Sequence, residues 1–150
     1  MSFDINNPYL RTRVLTARPE ELRLMLIDGS LHFMREGREG LASRDFEKSY
    51  ENLTNAKNIL VELMNTLRHD AAPELCARLE SLYTYMFTTL VSASLEKDPS
   101  KIDEVIDLME FERETWRLLI EKIARERAGV EPAEAEPGAG AARAPLSVQG

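Results

Sequence analysis

The sequence predicts an all-α protein: an antiparallel four-helix bundle with an apolar N-terminal arm and a disordered C-terminal tail. Three observations carry this. Between residues 41 and 128 there is no glycine, and the only prolines are Pro73 and Pro99. Each is followed by helix-forming sequence, as suits proline in the first turn of a helix. Apolar residues recur at steps of three and four along every long segment, and none alternates with period two for long enough to form a strand. The breaks between segments are short, which favours a compact bundle over an extended coiled coil.

The arm comprises residues 1–18. It holds Phe3, Ile5, Tyr9, Leu10, Val14 and Leu15, too apolar for a solvated extension, so it is expected to lie against the bundle. It does so as an irregular segment or as a short extra helix. The bundle proper is placed at 19–128, with helices near 19–41, 44–68, 73–97 and 99–127.

The first helix starts at Pro19 and is the most apolar. Across residues 22–34 one apolar line runs through Leu22, Met25, Leu26, Gly29 and Phe33, and a second through Leu24, Ile27, Leu31 and Met34. A surface helix normally shows one such stripe. Two stripes predict a central strut packed on both sides. Gly29 costs about 1 kcal/mol relative to Ala in a helix interior, and is read as a site of close helix approach.

The second helix takes Ser43 as its expected cap. Its seam is Leu53, Ala56, Leu60, Leu63 and Leu67, with Ile59 and Val61 left off it. The third offers Leu75, Leu79, Leu82, Met86, Leu90 and Ala93, and beside them Tyr83 and Phe87. Asp98-Pro99 reads as a cap and first residue for the fourth helix, whose seam is Ile102, Val105, Met109, Trp116, Leu119 and Ile123. From residue 129 the chain turns to Ala, Pro and Gly with almost nothing large to bury. Residues 129–150 are therefore expected to be a disordered tail.

Charge and chemistry exclude several classes. The net charge of −7 argues against nucleic acid or a membrane surface as the main partner. There is no basic region followed by an apolar run, and no stretch of roughly 20 apolar residues to span a bilayer; the expectation is a cytoplasmic protein. Cys76 is the only cysteine and is read as a small buried hydrophobe. The two histidines, His32 and His69, do not follow a Glu by three positions, so the Glu-x-x-His pairs of di-iron bundles are missing. Zinc spacings, HExxH and a Gly-rich phosphate loop are missing too. No catalytic residue, metal or cofactor is expected, and the chain is not read as an enzyme. The apolar surplus on the second and third helices predicts a groove for a partner's amphipathic segment.

The motifs resemble one known family. Asn7-Pro8-Tyr9, Val14, Thr16-Ala17-Arg18-Pro19-Glu20-Glu21-Leu22 and Leu24-Met25-Leu26-Ile27-Asp28-Gly29 are similar to the opening of FliS, the flagellin export chaperone family. Residues 51–63, Leu82-Tyr83-Thr84-Tyr85-Met86 with Leu90, and Asp103-Glu104-Val105 followed by Trp116 continue the match in order. Together they cover residues 7–123. Arg18, where the family usually has a small capping residue, Ile27 for a Tyr, and Ser94 for an Asn depart from the pattern.

The resemblance implies a cytosolic chaperone that binds the disordered C-terminal segment of flagellin, prevents early polymerisation, and brings the complex to a component of the flagellar export gate. Carried over by position, the expected partner-binding residues are Asn52, Ala56, Ile59 and Leu63 on the second helix, and Tyr83, Met86, Phe87 and Leu90 on the third. Tyr9, Leu10 and Val14 of the arm would occupy part of that surface when no client is present. The alternative reading is a helical homo-oligomer, a homodimer in the absence of client, or an adaptor for another secreted or regulatory protein.

Overall fold

The computed structural model describes residues 8–129, which hold five helices in chain order: α1 (Pro8–Thr16), α2 (Pro19–Ala42), α3 (Phe46–Asn65), α4 (Pro73–Glu96) and α5 (Pro99–Arg127). There is no strand among the described residues. Helices α2 to α5 make the four-helix bundle, and the arm contributes the short helix α1. The tail from residue 130 lies outside the described residues. One compact unit extends to Trp116; a second begins at Arg117, within α5. In the second, Arg117 pairs with Glu121 one turn on, at 2.5 Å.

Local chemistry sets the helix ends. Ser43 closes α2 rather than opening α3: its N–H donates to the Glu39 carbonyl at 3.0 Å. Arg44 then turns the chain with a left-handed φ of 63°, and Asp45 caps α3 by accepting from the Lys48 N–H at 3.1 Å. The expected Ser43 cap is thus shifted by two residues, because an Asp side chain is an equally good acceptor. Asp98 caps α5 as expected, accepting from the Ser100 N–H at 3.0 Å and its hydroxyl at 2.6 Å. These two bonds hold the Asp98 carboxyl below its ordinary range.

The core of the first unit is built from one stripe per helix. It contains Ile27, Leu31 and Met34 of α2; Leu53, Ala56, Leu60 and Leu63 of α3; Tyr83, Met86, Leu90 and Ala93 of α4; and Ile102, Val105 and Met109 of α5. The α3 seam agrees with the sequence except for Leu67, which falls beyond the helix end. On α4 the stripe is rotated: Cys76 and Tyr83 are buried, whereas Leu75 is exposed and Leu79 and Leu82 are half-buried. On α5 Glu112 is buried in the turn before Trp116, and Leu119 is exposed.

Helix α2 does use two sides. Met25 and Gly29 are buried beside the core stripe, and Leu26 and Phe33 pack against it, while Leu22 is exposed. Its tightest approach is to α3, through Gly37 and Gly40. A Cβ at Gly37 would lie 2.6 Å from Leu53 Cδ2, and one at Gly40 would lie 2.7 Å from the Ser49 backbone nitrogen. These contacts allow the α2–α3 hairpin to close at backbone distance.

Ion pairs join α2 to α5. Arg38 holds Asp103 in a two-pronged contact at 2.8 and 3.0 Å, Arg35 pairs with Glu110, and Arg113 reaches Asp28 at 2.5 Å. No described helix is long and apolar enough to cross a membrane.

Candidate client groove

Part of the exposed apolar surface, Phe46, Tyr50, Val61 and Leu95, lies along the seam between α3 and α4. On α3, Tyr50, Lys57, Val61 and Met64 follow one another at helical steps; on α4, Thr84, Phe87, Val91 and Leu95 do the same. Two contacts join these stripes, and a third closes the end of the seam. Lys57 Nζ stands 5.8 Å from the centre of the Phe87 ring, the Thr84 hydroxyl donates to Met64 Sδ at 3.6 Å, and Lys97 Nζ lies 5.3 Å from the Phe46 ring centre. Tyr50, Val61 and Leu95 are exposed, while Met64, Phe87 and Val91 are half-buried. The result is a shallow apolar furrow flanked by amine groups, with Arg44 also stacked on Phe46 at 5.4 Å.

The residues expected at the groove divide into three sets. Phe87 lies in the furrow. Asn52 and Ile59 are half-buried on the other flank of α3, where Asn52 donates to the Lys48 carbonyl at 2.9 Å and Ile59 packs against the core. Ala56, Leu63, Tyr83, Met86 and Leu90 are all fully enclosed in the bundle interior. Ala56 and Leu63 lie on the core seam of α3 and Met86 and Leu90 on that of α4, and Tyr83 joins them because the α4 stripe is turned toward Cys76 and Tyr83. On the arm, Tyr9 of α1 is 72% exposed, and the Leu10 and Val14 side chains lie outside the described residues. Tyr50, Lys57, Met64, Val91 and Leu95 were not singled out from sequence. The signal available was their spacing of 50, 57, 61 and 64, which Val61 alone had marked.

Tyr83 belongs to a polar node that reaches all four bundle helices. Arg23 of α2 donates to the Tyr83 hydroxyl at 2.9 Å, to Thr66 Oγ1 at 2.9 Å and to the Leu63 carbonyl at 3.4 Å. The Tyr83 hydroxyl donates in turn to Glu112 Oε2 at 2.9 Å. The guanidinium lies 5.6 Å from the Tyr83 ring centre and 5.4 Å from that of Trp116. Trp116 Nε1 donates to the Glu20 carbonyl at 2.8 Å. Burial first, then the Glu112 charge, pushes the Tyr83 hydroxyl far above its ordinary pKa. Every buried polar atom named here has a partner, as a low-dielectric interior requires.

An open cleft of about 670 Å³ between α2 and α5 is lined by Asp28, Leu31, His32, Arg35, Glu36, Glu110 and Arg113. Its guanidiniums are already neutralised by Asp28 and Glu110, so it offers no free charge to a small ligand. Among the described residues no group of His, Cys, Asp or Glu is placed to hold a metal ion.

Comparison with known proteins identifies the family. The family model described as Flagellar protein FliS matches residues 1–123. A flagellar secretion chaperone FliS of Bacillus subtilis (strain 168) is 36% identical over 128 residues, covering 83% of this chain and 95% of that protein. Those of Campylobacter jejuni and Salmonella typhimurium are 30% and 31% identical, covering 74% and 75% of this chain and 87% and 84% of theirs. FliS is a family of flagellar secretion chaperones, not of enzymes. The chain belongs to the FliS family.

Proposed function

We propose that this protein is a cytosolic chaperone for flagellin. It would bind flagellin's disordered C-terminal segment, keep it from polymerising, and deliver it to the flagellar export gate. The observation that carries the reading is the furrow between α3 and α4, in a chain whose family is that of the flagellar secretion chaperones. A segment folding onto exposed Tyr50, Val61 and Leu95 and half-buried Phe87 would cover apolar surface at the expense of its own chain entropy, as in coupled folding and binding. Lys57 and Lys97 beside the furrow would favour a client segment carrying carboxylates. Tyr9, Leu10 and Val14 of α1 are the residues that would compete for this surface in the empty protein.

The test is calorimetry with a synthetic peptide of the flagellin C-terminus. Saturable binding at micromolar concentration, with a negative heat-capacity change, is the expected result. No heat at tens of micromolar peptide would remove flagellin from consideration.

A further inference from the structure

The furrow carries positive charge at two points, each with its cation resting on an aromatic ring. In its middle Lys57 lies over Phe87; at its end Arg44 and Lys97 both lie over Phe46. None of these three cations takes part in an ion pair among the described residues. The carboxylates closest to them in sequence are engaged or turned away. Asp45 and Asp98 cap α3 and α5, and Glu96 pairs with Lys101 at 3.2 Å. Glu47 and Glu51 belong to the exposed stripe of residues 47, 51, 58 and 62, about 100° round the helix from Phe46 and Tyr50. The acid in line with the furrow is Glu80, one turn beyond Thr84 at the opposite end, where His69 stands 3.9 Å away. Arg44 and Lys97 also share a backbone trait. They are the non-glycine residues with a left-handed φ among the described residues, 63° and 52°. Glycine would take either turn with less strain, so what these side chains supply is charge at the end of the seam.

We infer that the furrow selects a spacing of acids in its client: a helical segment with an apolar stripe and two side-chain carboxylates about eleven residues apart. One carboxylate meets Lys57, and the other meets Arg44 and Lys97. The inference rests on the furrow being the client site, whichever protein supplies the client. Eleven residues separate Phe46 from Lys57 on α3, and ten separate Phe87 from Lys97 on α4. Both walls therefore set the two points about 15–17 Å apart at 1.5 Å per residue. A client helix laid along the seam covers that length in about three turns, which returns both carboxylates to one face. Between the points Tyr50, Val91 and Leu95 meet its apolar stripe. Charge complementarity selects this occupant, because the furrow's own cations have no carboxylate of this chain to meet.

The test titrates the full chain with amidated helical peptides of ~16 residues, in which the only carboxylates are on side chains. One peptide carries a leucine stripe and two glutamates at the inferred spacing. A second places the glutamates on successive turns, and a third replaces them with glutamines. The first should bind roughly tenfold more tightly than the other two, an advantage that shrinks as salt rises. Lys57→Gln and Lys97→Gly should each remove most of that advantage. Arg78→Gln, an exposed cation on the side of α4 away from Phe87, should keep it. Glycine suits the φ of 52° at residue 97, so Lys97→Gly should melt no lower than wild type and its weaker binding is not a loss of fold. The inference is overturned if the three peptides bind equally, or if Arg78→Gln behaves as Lys97→Gly does. It is also overturned if the cations serve phosphatidylglycerol vesicles or a second copy of the chain, seen as co-sedimentation or dimerisation that Lys97→Gly abolishes. A flagellin C-terminal peptide is titrated in parallel. If it fails to bind while the spaced peptide stays selective, flagellin is removed and the spacing stands; if it binds while the three peptides are equal, the reverse holds.

Discussion

The Tyr83 hydroxyl stands between Arg23 and Glu112, accepting from the guanidinium and donating to the carboxylate, each at 2.9 Å. Glu112 is only 9% exposed, so this phenol is the side-chain donor that the structure gives it. Tyr83 was expected at the groove from sequence, but its ring has no exposed surface. The first prediction follows from this position. Tyr83→Phe leaves the ring packed and removes Glu112's donor, and should lower stability by about 1–3 kcal/mol in urea denaturation. Tyr83→Asp should be worse still, so any loss of client binding by that variant would report unfolding.

The same hydroxyl makes an alkaline prediction. Its folded pKa is raised above the unfolded value, so the stabilisation is complete below about pH 10, the ordinary tyrosine pKa, and declines as pH rises beyond it. Ultraviolet titration of the phenols should show one of the four tyrosines ionising only as the protein unfolds. Tyr83→Phe should remove that step.

Asp98 behaves in the opposite sense. Its folded pKa lies below the unfolded one, so its support of α5 is present above about pH 4 and disappears as pH falls through the folded value. Asp98→Ala should melt earlier than wild type at neutral pH, and the gap should narrow steadily on acidification. A gap that stayed constant with pH would show that the carboxylate is not the cap.

Gly40→Ala should destabilise by about 1–3 kcal/mol despite the better helix propensity of alanine, because the new methyl would meet the Ser49 nitrogen at 2.7 Å and the Asp45 carbonyl at 3.0 Å. Gly37→Ala would meet Leu53 Cδ2 at 2.6 Å and Cγ at 2.7 Å, with the Leu53 backbone nitrogen at 3.4 Å, and should cost less because a side chain gives way more readily than a backbone. Thermal denaturation of the two variants ranks them; the reverse order would refute the backbone contact.

For the furrow, Val61→Asp is the decisive substitution. Val61 is 40% exposed, so the bundle should melt within a few degrees of wild type. Binding of the flagellin peptide should fall about tenfold or more if the segment crosses this seam. Unchanged binding would move the client elsewhere on the surface.

The fold was legible because each of its causes is local. Pro19, Pro73 and Pro99 mark three helix starts, Asp98 caps the last, and steps of three and four identify Leu53, Ala56, Leu60 and Leu63 as one face. The groove residues were harder to read. A rotation of about 100°, one residue's step on a helix, decides whether Tyr83 or Leu82 faces inward, and that depends on whether a buried hydroxyl finds Arg23 and Glu112, two residues 60 and 29 positions away. Spacing along one helix carries no record of such partners. The close approach falls at Gly37 and Gly40, since it is Leu53 and Ser49 on the facing helix that determine where a side chain cannot fit.

The pairs between α2 and α5 have a consequence for how the molecule breathes. Arg35, Arg38, Asp103 and Glu110 all stand substantially in solvent, where such bridges contribute little and weaken further with salt. The α2–α3 hairpin, by contrast, is held by interlocked backbones. Of the bundle's walls, α5 is the one whose ion pairs to α2 stand open to salt. Amide protons of α5 up to Trp116 should exchange ahead of those flanking Gly37 and Leu53, and added salt should widen the difference, making ionic strength a control on how readily the bundle opens.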